Sequence, residues 1–177
     1  MPDEGALDKR LQRLRRRKSR WALARTMVIT AGVVYLLFGV IFGIAVVQGD
    51  SMIPALRESD VALFLRIGNT YHIGDIALVE AGDGTEYVKR IVALPGQTVA
   101  IDDETGELLV DGEPLLEPYI YEGTYSKTGI GYPITLGEDE YFVLGDHREN
   151  SKDSRNYGPV SAKQLDGKLL FFFRWQK

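Results

Sequence analysis

Between Thr26 and Gly49 the chain has no charged residue, and TMVITAGVVYLLFGVIFGIAVV within that run is predominantly apolar. At 1.5 Å per residue, ~20 helical residues cross the ~30 Å hydrocarbon core of a bilayer. No other property of the sequence restricts the fold as much. Lys and Arg flank only the N-terminal side, in KRLQRLRRRKSR at residues 9–20. The positive-inside rule therefore places the tail in the cytoplasm and everything after the helix on the far side. Gly43-Ile44-Ala45 offers small residues two apart, as a cleavage site would. The apolar run nevertheless exceeds the ~7–15 residues of a signal-peptide core, so a retained single-pass anchor is expected.

Charge follows the same division. Nine Lys/Arg and three Asp/Glu precede Thr26, leaving twelve and twenty-two for the rest, so the net charge of −4 averages a basic tail and an acidic body. Beside an anchor, the tail's basic cluster suits anionic headgroups, and nucleic acid is not an expected partner. Cysteine is absent and only His72 and His147 occur, which excludes disulfides and thiolate metal sites and argues against zinc. No cofactor is expected.

Past the anchor the pattern is short strands: VALFLRI (61–67), DIALVEA (75–81), TEYVKRIVAL (85–94), TVAID (98–102), ELLVDG (107–112), EYFVLGD (140–146) and KLLFFFRW (168–175). Turn residues separate them in IGN, GDG, LPG, DETG and GED. QTVAIDDETGELLVDGEPL reads as a hairpin. The Gly/Tyr/Pro-rich stretch 115–133 reads as a long loop, and the aromatic run in KLLFFFRW as core rather than an interfacial segment. The fold expected is mostly β: one transmembrane helix, then an antiparallel, barrel-like sheet domain with a small second β region. The boundaries expected are a basic tail at 1–25, a transmembrane helix at 26–48, a catalytic domain from 49–96 and 134–177, and a β insertion at 97–133.

Three stretches invite chemistry. QGDSMIPAL (48–56) puts Ser51 just beyond the apolar run, either in a plain exit turn or as a nucleophile at the membrane surface. A serine nucleophile needs a base. Neither histidine is marked out by its surroundings. Lysine serves as a base only if apolar burial lowers a pKa that is ordinarily ~10.4. Lys89 lies in the hydrophobic strand EYVKRIVALPG, where alternation puts Tyr87, Lys89 and Ile91 on one face and Val88, Arg90 and Val92 on the other. One of the two basic residues must tend inward, or both lie at a rim. GDHRENSKDSRNYG (145–158) is dense in opposite charges and reads equally as a solvated turn or a buried loop of ion pairs.

Together these stretches resemble the bacterial type I signal peptidases, membrane-bound serine–lysine endopeptidases. SMIPAL is similar to the family's nucleophile box, GDIALV (74–79) to the strand box after it, YVKRIVALPGQ to the lysine box, and GDHRENSKDSRNYG to the final box. The four occur in the family's order and span about three quarters of the chain. The resemblance implies Ser51 as nucleophile and Lys89 as general base. It implies that Ser151 hydrogen-bonds and orients the lysine amine, that Asp153 and Arg155 brace the loop as an ion pair, and that Arg90 pairs with Asp146. It also implies an oxyanion site at the Ser51 N–H, beside Gly49. Met52, Ile53 and Tyr87 are expected to wall the substrate pockets. The implied substrates are signal peptides of exported preproteins, cut after a small-x-small motif. The implied surroundings are the plasma membrane, with the catalytic domain extracytoplasmic and export machinery nearby. The chain departs from the family pattern at Gly49, where some members have a hydroxyl, at Asp50 and Ala55, and at His147, which stands in place of asparagine. A soluble self-cleaving repressor and a tethered non-enzymatic β-domain are the competing readings.

Overall fold

The structure is a computed structural model that describes the backbone of residues 4–68, 70–81 and 84–175, without the side chains of residues 4–18 and 81. Most of the basic cluster's side chains, and turn positions 69, 82 and 83, lie outside that description. The chain divides into two compact units, Met1–Ile41 and Phe42–Lys177.

The first unit is helical. α1 covers Glu4–Tyr35 and continues as a wider helical turn over Leu36–Ile41. Ser19–Ile41 is a 23-residue stretch of mean hydropathy 1.9. It would measure about 34 Å as an ideal helix, long and apolar enough to cross a membrane. Its apolar side chains, among them Met27, Val28 and Ile29, are exposed.

The expected helix boundary at residue 48 is corrected. The helix ends at Ile41, and Phe42–Val46 form a strand, β1, antiparallel to β2 (Val61–Leu65). An apolar run has no polar positions to reveal a change from helical to strand period, so periodicity could not mark the switch. Gly43 is buried in this strand, and a Cβ there would lie 2.8 Å from Arg66 Nε.

All seven expected strands form. With β1 and β2, the strands β3 (Ile76–Ala81), β4 (Thr85–Ala93), β9 (Glu140–Leu144), β10 (Val160–Ser161) and β11 (Leu165–Phe173) make an antiparallel sheet of order β1-β2-β11-β3-β4-β9-β10. A second sheet has the order β7-β6-β5-β8, from β5 (Thr98–Asp102), β6 (Glu107–Val110), β7 (Glu113–Pro114) and β8 (Ile134–Thr135). The β5–β6 hairpin turns through Gly106 at φ 74°, while the Asp102 carboxylate accepts from the N–H groups of Glu104 and Thr105. The two-residue strands β7, β8 and β10 are too short to carry a readable pattern. β8 takes the second sheet past the expected boundary at 133, because Thr135 pairs with Thr98.

The sheets share a core. Val92, Phe142 and Leu144 of the larger sheet pack with Val99, Leu108 and Val110 of the smaller. Ile91 packs instead with Tyr71, Val79 and Val143. β4 is thus covered on both faces, and its last five residues are all buried. A third cluster sets Met52 and Leu56 against Ala62, Phe64 and Leu78, fixing the segment after β1 to the sheet.

The reading of KLLFFFRW as core is also corrected. Phe171, Phe172, Phe173 and Trp175 are 40–78% exposed. A register shift between Leu169 and Phe171 changes the alternation just where the aromatic run begins. Register aligns Val46 with Val61 and Phe173, and Ile44 with Leu63 and Phe171. Paired residues share a face, so β1, β2 and β11 carry an exposed apolar ladder.

Candidate active site

The segment after β1 turns sharply at Ser51. Gly49 adopts φ +74°, a left-handed conformation that suits glycine. The Ile53 N–H bonds to Asp50 O and the Leu56 N–H to Met52 O. Met52 and Leu56 are buried, so the turn is anchored through alternate apolar side chains. Arg174 ties its far end, donating to the Asp60 carboxylate and to Ala55 O. Ser51 is left half-buried, and its main-chain N–H makes no hydrogen bond among the described residues.

β4 supplies Lys89. It pairs with Ala77, whose small side chain crowds it little, and is only 2% exposed. Its Nζ lies 2.8 Å from Ser51 Oγ and 5.7 Å from the Tyr87 ring centroid. No carboxylate lies within ion-pair distance of that amine among the described residues. Burial lowers its pKa from 10.5 to about 8, with Lys127 and Arg155 adding repulsion and Asp153 and Asp146 opposing the shift. A group of that pKa is about one-tenth free amine at pH 7.

Arg90, the next residue, sends its side chain to different partners. Its Nε and Nη2 donate to Asp146 at 2.8 and 2.6 Å, Nη1 donates to Gly74 O, and the guanidinium stacks 3.9 Å from the Tyr119 ring centroid. The two neighbouring basic residues are therefore both inward, one paired and the other unpaired.

The stretch 145–158 is a buried loop of ion pairs and not a solvated turn. Asp146, Arg148, Asp153, Ser154 and Arg155 are each at most 1% exposed. Asp153 caps the short helix α2 (Ser154–Tyr157) and accepts from Arg155 Nε and Nη2 and from the Gly145 N–H. Burial opposes its charge, but the Arg155 guanidinium holds its carboxyl below the usual range. Arg155 also donates to Arg148 O, and Arg148 to Gly145 O. The His147 N–H donates to Ser51 O at 3.1 Å, joining this loop to the serine turn. A side chain at Gly145 would come within 2.5 Å of Ser51 O and closer still to Ser151 Oγ. Close packing of the two segments therefore requires glycine there.

The sequence-derived expectations meet this geometry unevenly. Ser51, Lys89, Asp146, Asp153, Arg155 and Arg90 converge. Ser151 is buried nearby, and its Oγ makes no well-formed hydrogen bond among the described residues, so the expected bond to the Lys89 amine is not formed; the hydroxyl helps to hold the Asp153 carboxyl low. The amine is turned to Ser51 Oγ instead. A cavity of about 380 Å³ opens beside Ser51 and Lys89, lined in part by Ile44, Val46, Met52 and Tyr87. Ile53 is not on its wall, because the tight turn from Asp50 carries Ile53 away from the face that Met52 shares. His72 is exposed and faces Asp75. The His147 ring lies between Asp50 and Glu122 and, among the described residues, makes no hydrogen bond with Ser51 Oγ.

Residues of the 115–133 excursion contribute without having been anticipated. Glu117 takes both Arg148 Nη groups at 2.9 and 2.6 Å, Thr124 also bonds Arg148, and Lys127 Nζ donates to Ser151 O. Nothing in their local sequence distinguishes them from other loop residues.

The family model for signal peptidase, peptidase S26, matches residues 20–175. The chain belongs to that family. It is accordingly a peptidase of the signal peptidase I type, as the four motifs implied, and the reading as a non-enzymatic domain falls away. Signal peptidase I S of Bacillus subtilis is 34% identical over 170 residues, covering 89% of this chain and 91% of its own. Probable signal peptidase I-1 of Synechocystis is 34% identical over 146 residues, covering 73% of this chain and 71% of its own. A crystal structure of a signal peptidase I from Enterococcus faecalis is 28% identical, covers 57% of this chain and 97% of its own, and has a TM-score of 0.45.

Proposed function

We propose that this S26 peptidase removes signal peptides through a Ser51–Lys89 dyad and an acyl-enzyme. The observation that carries the reading is the 2.8 Å approach of a buried, ion-pair-free lysine amine to a serine hydroxyl. Neutral Lys89 accepts the Ser51 proton as Oγ attacks the scissile carbonyl, and the protonated amine then hands that proton to the leaving nitrogen. The mature protein departs while the signal peptide stays esterified to Ser51. Lys89, neutral again, activates the water that releases it. The Ser51 N–H is a candidate donor to the oxyanion, an interaction of about 2.7–4 kcal/mol in the transition state.

The cavity beside Ser51 suits small side chains of an extended segment, which supports cleavage after a small-x-small motif. β1 is a sheet edge whose free main-chain groups can take such a segment as an added strand. The basic tail sets the anchor's N-terminus in the cytoplasm and the β-domain outside. The exposed ladder of Ile44, Val46, Val61, Phe171 and Phe173 rests on the lipid surface.

Cleavage of a preprotein in detergent by wild type, Ser51→Ala and Lys89→Ala, from pH 5 to 10, tests the dyad. Both variants should lose at least about 1,000-fold in kcat/KM, in line with removal of a nucleophile or its base. Wild-type activity should climb through about pH 8, where the buried amine loses its proton. A flat profile, or an active Lys89→Ala, would place the base elsewhere.

A further inference from the structure

We propose that Lys127 is a positioning residue for this reaction: its ammonium braces the Ser151 main chain and adds a second positive charge to the surroundings of Lys89. The inference rests on the reading of Lys89 as the base.

Lys127 reaches into the site from the 115–133 excursion, in the stretch TYSKTGIGYP, outside the four family-like motifs. It is half-buried, and its Nζ donates to the carbonyl of Ser151 at 2.5 Å. Ser151 is itself 5% exposed, and its hydroxyl acts on the Asp153 carboxylate without a well-formed hydrogen bond among the described residues. The ammonium adds a contact to the main chain of the loop whose His147 N–H donates to Ser51 O.

The second part is electrostatic. The groups that face Lys89 are the Ser51 hydroxyl from the serine turn, the Tyr87 ring from β4, Asp146, Asp153 and Arg155 from the ion-pair loop, and Lys127 from the excursion. Asp146 and Asp153 already have guanidinium partners in Arg90 and Arg155. Lys127 has no ion-pair partner among the described residues. Its charge, only partly offset by Asp153, opposes protonation of Lys89, adding to the dominant effect of burial. Burial, followed by repulsion from Arg155, lowers the pKa of Lys127 as well. Removing the charge should let Lys89 hold its proton to higher pH.

The test is the pH profile of kcat/KM for the full chain in detergent with a preprotein substrate. The variants are Lys127→Gln, which keeps a donor amide on a shorter, uncharged side chain, and Lys127→Arg, which keeps the charge. Lys127→Gln should move the acid limb to higher pH. Activity at pH 7 should fall about 3- to 10-fold and return to within about twofold of wild type near pH 10, since a tenfold change corresponds to one pKa unit. Lys127→Arg should keep the wild-type limb. An unmoved limb for Lys127→Gln overturns the proposal, as does an equal loss at every pH, which would indicate bracing alone. A thermal melt of each variant guards against misfolding, and if Lys127→Gln does not fold, displacement of the limb by Lys127→Arg would itself overturn the proposal. Lys89→Ala, measured alongside, separates the two failures. If it remains active, the dyad reading fails; if it is inactive while Lys127→Gln tracks wild type, only the role of Lys127 fails.

Discussion

Lys89 shows how much a single residue can owe to its surroundings. Its amine is buried against the serine turn with no carboxylate in ion-pair contact, so its charged form is disfavoured. The consequence for stability has a definite sign. The folded pKa, about 8, lies below the value of 10.5 in the unfolded chain. The unfolded state therefore binds more protons, and stability rises as pH increases from about 8 towards 10.5. Below that window the full cost of protonating or desolvating the buried amine is present. Lys89→Met, which keeps the bulk and drops the titration, should abolish cleavage yet stabilise the domain at pH 7 by about 2–3 kcal/mol. Denaturant melts at pH 7 and pH 10 check this: the gain should shrink at the higher pH, and an equal change at both would mean that packing alone is responsible. The candidate serine and lysine were legible because the family-like boxes name them. Ile53 lies off the cavity wall because a tight turn separates adjacent side chains, and the setting of the Ser151 hydroxyl depends on rotamers that a sequence does not display.

Among the elements, strands were easier to read than their ends. β2 to β6, β9 and β11 announce themselves by runs of Val, Ile, Leu and aromatics between turn residues. β1 was hidden, since FGIAV is as apolar as the helix it follows and only pairing with β2 makes it a strand. The same pairing creates the ladder that composition suggested would be core. Its exposed side chains run in register across three strands, an arrangement that costs solubility unless another phase covers it. If that phase is lipid, Phe171→Ser with Phe173→Ser should slow cleavage of a vesicle-embedded preprotein by about tenfold, an upper-range loss for two apolar side chains partly withdrawn from water. Hydrolysis of a short soluble peptide in detergent should stay within about twofold of wild type. Equal slowing in both assays would mean that the aromatics support the fold.

At the scale of the whole β-domain, the small sheet and its excursion are structural partners of the site and not an appendage. Glu117, a few residues past β7, neutralises Arg148 in the ion-pair loop, with both side chains nearly inaccessible. Removing one member of such a pair leaves a buried charge uncompensated, at a cost of about 3–5 kcal/mol. Glu117→Gln should therefore lower both stability and activity, whereas Glu117→Leu with Arg148→Met should recover much of the melting temperature. A Glu117→Gln protein that melts like wild type would show that the pair does not join the two regions. The link could not be foreseen, because Glu117 and Arg148 are distant in sequence and neither belongs to a periodic pattern. β4 lies at the centre of this arrangement, and the order of its residues has a consequence beyond catalysis. Lys89 and Arg90 are adjacent, so a slip of one residue in the pairing of β4 would put either Arg90 before Ser51 and Ile91 before Asp146, or Lys89 before Asp146 and Val88 before Ser51. Apolar residues flank both positions, so much of the hydrophobic core would tolerate the slip while the polar partners would not. Peptidase activity thus reports strand alignment, and a miscounted fold would be silent in the assay before it was visible as a loss of compactness.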